Sequence, residues 1–404
     1  MLLTFLRYCG CTLPLAEIKG SGRVFAVCKV VTRDECEHGD ELSGCDDTHV
    51  LTIRTRNPLA DIVVDDSLSQ RHPPMNQPLF SIVVTSFNKE RYVGLTLESA
   101  LSQTYPLTEV VVVDDGSTDN SAAVIERFRD RVTMICKANG GQASAMNVGF
   151  AACHGEIVLF LDCDDLLDPE TVERIVACWT PELSKAHFKL RTIDEDGSVV
   201  PGGFMPPYRN LPSGDVFPTF RRFGLYPAPP NSGNAYARRV LDAIMPLPVR
   251  VYRAWPDTPL IGSAPLFGPV MALDGVGGSW RKTGQNYSLG GVEKIRARLS
   301  CDEVYIEMIS RLGGTRLPRR FAARWPLHLK DKLVLATFSG GAAAGVSRAC
   351  AALAYIWTVL RWPEYTWRRR LLFSVWSIVM ATVPQALLRR FSKVAGSNFQ
   401  FPAS

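Results

Sequence analysis

Between Phe80 and Asp165 the chain alternates short, wholly apolar runs with helical patterns, and few folds accept that order. FSIVVT (80–85), EVVVV (109–113), VTMI (132–135) and EIVLFL (156–161) are apolar at successive positions, as strands buried on both faces must be. Between them, Glu90 to Gln103 places Val93, Leu97, Ala100 and Leu101 at helical spacing. Ser121 to Phe128 predicts a helix behind a polar Asp119/Ser121 cap, and Gln142 to Cys153 a helix of small residues. Asp168-Pro169-Glu170 predicts another helix start, with proline at the first helical position. This order gives an α/β fold with a mostly parallel sheet covered on both faces. Ligands of such sheets bind beyond the carboxyl ends of the strands.

Acids gather at two of those ends. Asp114 and Asp115 follow the second strand in VVVDDGSTDNS, and Asp162, Asp164 and Asp165 follow the fourth in DCDD. A single acid in such a place is usually a turn former or a helix cap. Two clusters at two ends of one sheet point to a shared use. Carboxylates are hard oxygen ligands suited to Mg²⁺ or Mn²⁺, which in turn hold phosphates. Neither GxxxxGK[ST] nor a strand-linked GxGxxG is present, so such a metal would carry the phosphates itself. A phospho-receiver module also uses acids at strand ends, but it needs a Lys-Pro step that this sequence lacks. It would also leave residues 180–404 without a purpose.

The composition narrows the partners. The chain has 404 residues, 46% of them hydrophobic, enough for a substantial core. A formal charge of +5, with no basic run interleaved with aromatics in the middle of the chain, argues against nucleic acid. Eleven cysteines occur without a CxxC pair or zinc-like spacing, which suggests free thiols in a reducing compartment.

The runs FSIVVTSFNKERYVGLTLESALSQTY, EVVVVDDGSTDNS and NGGQASAMNVGFAACHGEIVLFLDCDD together resemble the nucleotide-sugar-binding half of a family 2 glycosyltransferase. The resemblance covers about residues 79–180. SGNAYARRVLDAI, WPDTPLIGSAPLFGPVMAL and SWRKTGQN are similar, more loosely, to the acceptor half. It implies a GT-A fold, in which a Rossmann-like half binds the donor, and an inverting transfer to a hydroxyl acceptor. By the same resemblance Thr85 closes the first strand beside the base, and Asp115 accepts a hydrogen bond from base or ribose. Gln142 lies in the segment that passes the donor, Asp162 is turned toward the ribose, and Asp164 or Asp165 ligates Mg²⁺ or Mn²⁺ on the diphosphate. Asp257 stands at the family's base position; its other reading is a loop acid before a proline turn. Trp255 is either a sugar platform or core. Thr283 replaces a histidine that relatives often carry between Arg281 and Asn286. The implied partners are a UDP-linked sugar and a carbohydrate or lipid-linked acceptor. A nucleotide-sugar-binding protein without turnover is the alternative.

Three divisions follow. Residues 1–77 form an extension whose opening MLLTFLRYCGCTLPLA is a poor signal peptide, because Arg7 interrupts it. Residues 78–315 form the catalytic domain, with a donor half (78–180) and an acceptor half (181–315) in which residues 200–290 show little periodicity. Residues 316–404 are basic and apolar helical segments. Leu371 to Leu388 is uncharged between Arg368–Arg370 and Arg389-Arg390, but it barely reaches spanning length and contains Pro384. With Trp362, Trp367 and Trp376 nearby, this suits a helix lying in a membrane interface. A hairpin packed on the catalytic domain and a spanning helix are the other arrangements. The expected location is the cytoplasm, peripheral on the inner face of a membrane.

Overall fold

A computed structural model describes residues 77–206, 210–283, 292–319, 321–338, 347–384 and 387–388. The expectations on residues 1–76, on Asn286 and on Arg389-Arg390 fall outside the described residues.

The first four strands, β1 (Phe80–Ser86), β2 (Thr108–Asp114), β3 (Thr133–Cys136) and β4 (Ile157–Asp162), pair in parallel in the order β3-β2-β1-β4. Helices α1 (Val93–Leu101), α2 (Ser121–Glu126) and α3 (Gln142–Ala152) connect them. Alternate residues feed two cores. Phe80, Ile82, Val84, Leu159 and Leu161 pack against Val93 and Leu97, whereas Val83, Val111, Val113, Val158 and Phe160 pack against Met146 and Ala143. Each fully buried side chain of this kind contributes about 1.5–3 kcal/mol of transfer free energy. Gly149 of α3 is where helix and strand come closest, since a Cβ there would sit 2.3 Å from Val83 Cγ1.

The helix expected from Pro169 starts later, as α4 (Thr171–Ala177) after the short β5 (Leu166–Leu167). Asp168 is not its cap: both carboxylate oxygens accept 2.7 Å bonds from Arg191.

Residues 200–290, expected to be loops and short elements over the sheet, do contain loops and short helices but also add strands to it. β6 (Lys185–Ile193), β8 (Asn234–Ala237) and the twelve-residue β9 (Val270–Arg281) continue the order as β4-β8-β6-β9-β5, with β7 (Val199–Met205) paired to β6. Here β4–β8, β6–β8, β6–β7 and β5–β9 are antiparallel, and β6–β9 is parallel. β9 escaped a period-based reading because LDGVGGS is bulged and glycine-rich.

Helices α5 (Phe217–Phe223), α6 (Arg238–Ile244), α7 (Asp257–Ser263) and α8 (Val292–Gly313) cover this half. Beyond them α9 (Pro326–Phe338), α10 (Arg348–Arg361) and α11 (Trp367–Thr382) pack together through Leu333, Ala336, Ala352, Tyr355, Val359 and Met380. Trp362 joins them to Phe223, ring to ring at 5.3 Å. Among the described residues no helix is long and apolar enough to cross a membrane.

Candidate active site

Parallel register brings the acid clusters to one edge. Thr85 lies opposite Asp162 on β4 and Val113 on β2, and Ser86 lies opposite Asp114. The loop after β1 is stitched to the loop after β2: Asn88 Oδ1 accepts from the Thr118 backbone N–H at 2.7 Å, and Ser121 Oγ accepts from the Lys89 N–H at 2.8 Å. Asn88 holds a left-handed backbone (φ 51°) to make this turn.

The two acids after β2 do different things. Asp114 is a turn former, its carboxylate taking the Ser117 N–H at 3.0 Å and the Ser117 hydroxyl at 2.6 Å. Asp115 reaches across to the loop after β3. It accepts from Lys137 Nζ at 2.5 Å and from the N–H groups of Gly140 and Gly141 at 3.0 and 2.7 Å.

The segment 140–142 links both clusters. Next to Gly141, Gln142 Nε2 donates to Asp162 Oδ1 at 2.8 Å. Asn231 Nδ2 donates to the same oxygen at 2.9 Å. Burial, then the nearby charge of Asp164, raise the Asp162 carboxyl to about 7, with Asp257 adding to the effect.

DCDD separates by direction. Asp165 points inward and is buried: Oδ1 accepts from the Arg281 N–H at 2.9 Å and Oδ2 from the Ser232 hydroxyl at 2.6 Å. Burial and the charges of Asp164 and Asp162 hold its carboxyl well above the ordinary range. Asp164 points to the rim and pairs with Lys89 Nζ at 2.9 Å. Burial works against the Lys89 charge, but Asp164 more than offsets it and holds the ammonium above its usual value. Buried Arg281 braces the turn from below, donating through Nε to the Asp164 carbonyl at 3.0 Å and through its guanidinium to the Asp194 carbonyl at 3.1 Å.

Asp257 enters as the first residue of α7. The first N–H groups of α3 lack partners within the helix. Gln142 N–H donates to the Arg253 carbonyl at 2.9 Å and Ala143 N–H to the Tyr252 carbonyl at 3.2 Å, which pins residues 252–253 to the start of α3. Gly141 (φ 88°) permits this, because a Cβ there would lie 2.8 Å from Arg253 Cα. The chain then turns through Trp255 in the left-handed region (φ 57°) and starts α7 at Asp257. Such backbone strain is held only where the surroundings enforce it. Burial raises the half-buried Asp257 carboxyl, N–H groups of its own turn oppose this, and Asp302 adds to it. The Arg298 guanidinium lies 5.6 Å from the Trp255 ring.

Asn147, in the same helix as Gln142, is bonded to the backbone of Leu247 through both amide atoms at 2.9 and 2.8 Å. His187 is buried with Nε2 at the Pro212 carbonyl (2.8 Å), and His154 is exposed beside Glu109. Among the described residues no group of three or more His, Cys, Asp or Glu side chains is placed to hold a metal ion. Cys136, Cys153, Cys163, Cys178, Cys301 and Cys350 are free thiols. Sequence reasoning missed Lys89, Lys137, Asn231 and Ser232. Lys89 sat within the quoted SFNKE, and Asn231-Ser232 precede β8 as a short polar pair. Neither spacing announces a partner seventy residues away.

The sequence model described as Glycosyl transferase family 2 matches residues 81–183. An uncharacterized glycosyltransferase of Nostoc sp. is 32% identical over 237 residues, covering 57% of this chain and 73% of that protein. The chain belongs to glycosyltransferase family 2. The glycosyltransferase is also related to the chondroitin synthase of Escherichia coli, at 34% identity over 36% of this chain but only 22% of that one. The poly(ribitol-phosphate) β-N-acetylglucosaminyltransferase TarS of Staphylococcus aureus is 38% identical over 24% of this chain and 18% of its own length. This glycosyltransferase therefore spans about a fifth of those two longer relatives. A crystal structure of S. aureus TarS 1–349 in complex with UDP-GlcNAc aligns with 80% of this chain and 93% of that one at 19% identity, with a TM-score of 0.46.

Proposed function

We propose that this family 2 glycosyltransferase moves a sugar from a nucleotide-sugar donor, UDP-linked as the resemblance implies, to a hydroxyl of a carbohydrate acceptor, with inversion at the anomeric carbon. The observation that carries the reading is the Asp162 carboxyl. It is raised to about 7 at a strand end shared with Asp164, within the field of Asp257 from the other half. Two further carboxylates, Asp164 and Asp257, raise the cost of charge on Asp162, which suits a site that receives positive charge with its ligand.

In this reading Asp115 and Thr85 line the base side, with Lys137 and the N–H groups of Gly140 and Gly141 fixing the Asp115 carboxylate. Gln142 and Asn231 orient Asp162 toward the ribose and diphosphate. The hard oxygen donors here suit a divalent ion, and the close approach of Lys89 to Asp164 supports a cation-accepting role for this carboxylate. Asp164, assisted by Asp162, would hold Mg²⁺ or Mn²⁺. When bound, the ion neutralises charge on the nucleoside diphosphate leaving group. Asp165 supports the turn from inside and, with both oxygens engaged, is not assigned to the ion. Asp257 takes the proton from the attacking hydroxyl, and its raised pKa makes it a better base than an exposed aspartate.

The kinship to chondroitin synthase and to a poly(ribitol-phosphate) β-N-acetylglucosaminyltransferase supports a polymeric acceptor at a cell surface. Because nucleotide sugars are cytosolic, the donor cleft faces the cytoplasm in this reading. The test is a thermal-shift panel of UDP, GDP and dTDP with Mn²⁺ or EDTA, on wild type and Asp164→Ala. Stabilisation by one nucleotide that requires both the metal and Asp164 supports the reading. A folded protein that none of them stabilises ends it.

A further inference from the structure

Helix α11 is amphipathic in the reverse sense: its apolar side faces outward. Phe373, Trp376, Ser377 and Met380 turn toward α9 and α10, and Ser377 Oγ donates to the Ala352 carbonyl at 3.2 Å. Trp367, Leu371, Leu372, Val375, Ile378 and Val379 are exposed, with Trp367 at 70%, Leu371 at 57% and Ile378 at 52%. At 100° per residue these six positions fall within one continuous arc, the spacing of a single helix face. Leu353 (67%) and Leu360 of the adjoining α10 are exposed one heptad apart. Contiguous apolar surface of this extent marks an interaction site.

Charge selects the occupant. From residue 348 to residue 388 the chain carries five arginines (Arg348, Arg361, Arg368, Arg369, Arg370) and a single acid, Glu364. Arg348 and Arg370 are engaged with backbone carbonyls of the same bundle. Arg361 and Arg368 are exposed, their guanidinium groups 4.8 Å from the Trp357 ring and 5.6 Å from the Trp367 ring. Tryptophan beside arginine at the border of an apolar strip is the composition of the headgroup region. The sixteen-residue helix is too short to span and has the apolar width to lie flat.

We infer that α11, with the exposed edge of α10, is a docking face for an anionic lipid bilayer. It seats α11 parallel to the surface, Leu371, Val375 and Ile378 at the acyl boundary, and Arg361 and Arg368 among acidic headgroups. This assignment is independent of the donor site.

The test is flotation of the full chain with vesicles of equimolar phosphatidylcholine and phosphatidylglycerol, and with phosphatidylcholine alone. The expected result is co-flotation with the anionic vesicles that weakens on adding salt. Arg361→Gln/Arg368→Gln should lose affinity about fivefold per arginine. Leu371→Glu/Val375→Glu/Ile378→Glu should lose at least about tenfold on either vesicle. The altered side chains are exposed, so the melting transition should be kept and serves as the folding control. Failure of wild type to float with either vesicle overturns the inference, as does unchanged flotation of the glutamate variant. A concentration-dependent dimer by light scattering, lost in the glutamate variant and without flotation, would assign the face to a second copy instead.

Discussion

Lys89 and Asp164 close an ion pair at 2.9 Å at the strand ends where the acids gather, one from the loop after β1 and the other from the turn after β4. Both side chains are more than four-fifths buried, so the pair is shielded more than a surface bridge. A diphosphate entering this corner offers Lys89 a new anionic partner and frees Asp164. Lys89→Met should weaken UDP about tenfold and leave uridine unaffected, since the nucleoside lacks the diphosphate. Calorimetric titration of both ligands decides this, and equal losses would remove Lys89 from phosphate recognition.

Adjacent Asp164 and Asp165 should fail differently. Asp164→Ala leaves the Lys89 ammonium without its carboxylate partner, so a modest loss of melting temperature is expected, smaller than that of Asp165→Ala. It should lose nucleotide-dependent stabilisation, and EDTA should have no further effect on it. Asp165→Ala leaves the Arg281 N–H and the Ser232 hydroxyl unpaired inside, costing about 1–3 kcal/mol for each buried group left unsatisfied. Denaturant melts with and without UDP and Mn²⁺ separate the two. A stable Asp165→Ala variant that loses only metal dependence would reverse the assignment.

The pH profile should report Asp257. Its carboxyl is raised by burial, and only the ionised form accepts a proton. As pH falls through that pKa the base is protonated and the rate drops, so the acid limb of kcat/KM should lie above the usual carboxylate range near 4. Asp257→Asn should lower kcat by about 100-fold or more and flatten that limb, with donor binding retained. Loss of donor binding together with kcat would point to a structural role instead.

Lys185 is a stability liability. It lies fully buried, donates to Asn234 Oδ1 at 2.6 Å and has the Tyr226 and Tyr236 rings at 5.1 and 6.0 Å. Burial drives its pKa well below 10.5. Between that lowered value and 10.5 the unfolded chain binds the proton and the folded chain does not, so this group makes stability rise with pH. Lys185→Met should remove that component, giving a shallower rise in unfolding free energy from neutral to alkaline pH than wild type shows. Parallel slopes in denaturant melts would refute this.

The sequence announced what depends on period and position, and hid what depends on distance. β1 to β4 were legible because strands buried on both faces must be apolar throughout, and the acid clusters because they broke those runs. The extent of β9 was not legible, since its glycines and bulge erase the period. Nor could sequence divide Asp164 from Asp165: their directions follow from Arg281 and Ser232, far along the chain. Asp257 was found by resemblance, but its place opposite Asp162 rests on the backbone bonds from α3 to residues 252–253.

Those same bonds bear on attempts to change what the enzyme accepts. Gly140, Gly141 and Gln142 touch Asp115 on one side, Asp162 on the other, and the Arg253 backbone leading to Asp257. Three consecutive residues thus mount all three of the groups to which the proposed function gives nucleotide recognition, leaving-group charge and proton removal. If those roles hold, substitutions in this segment should shift all three together rather than base preference alone.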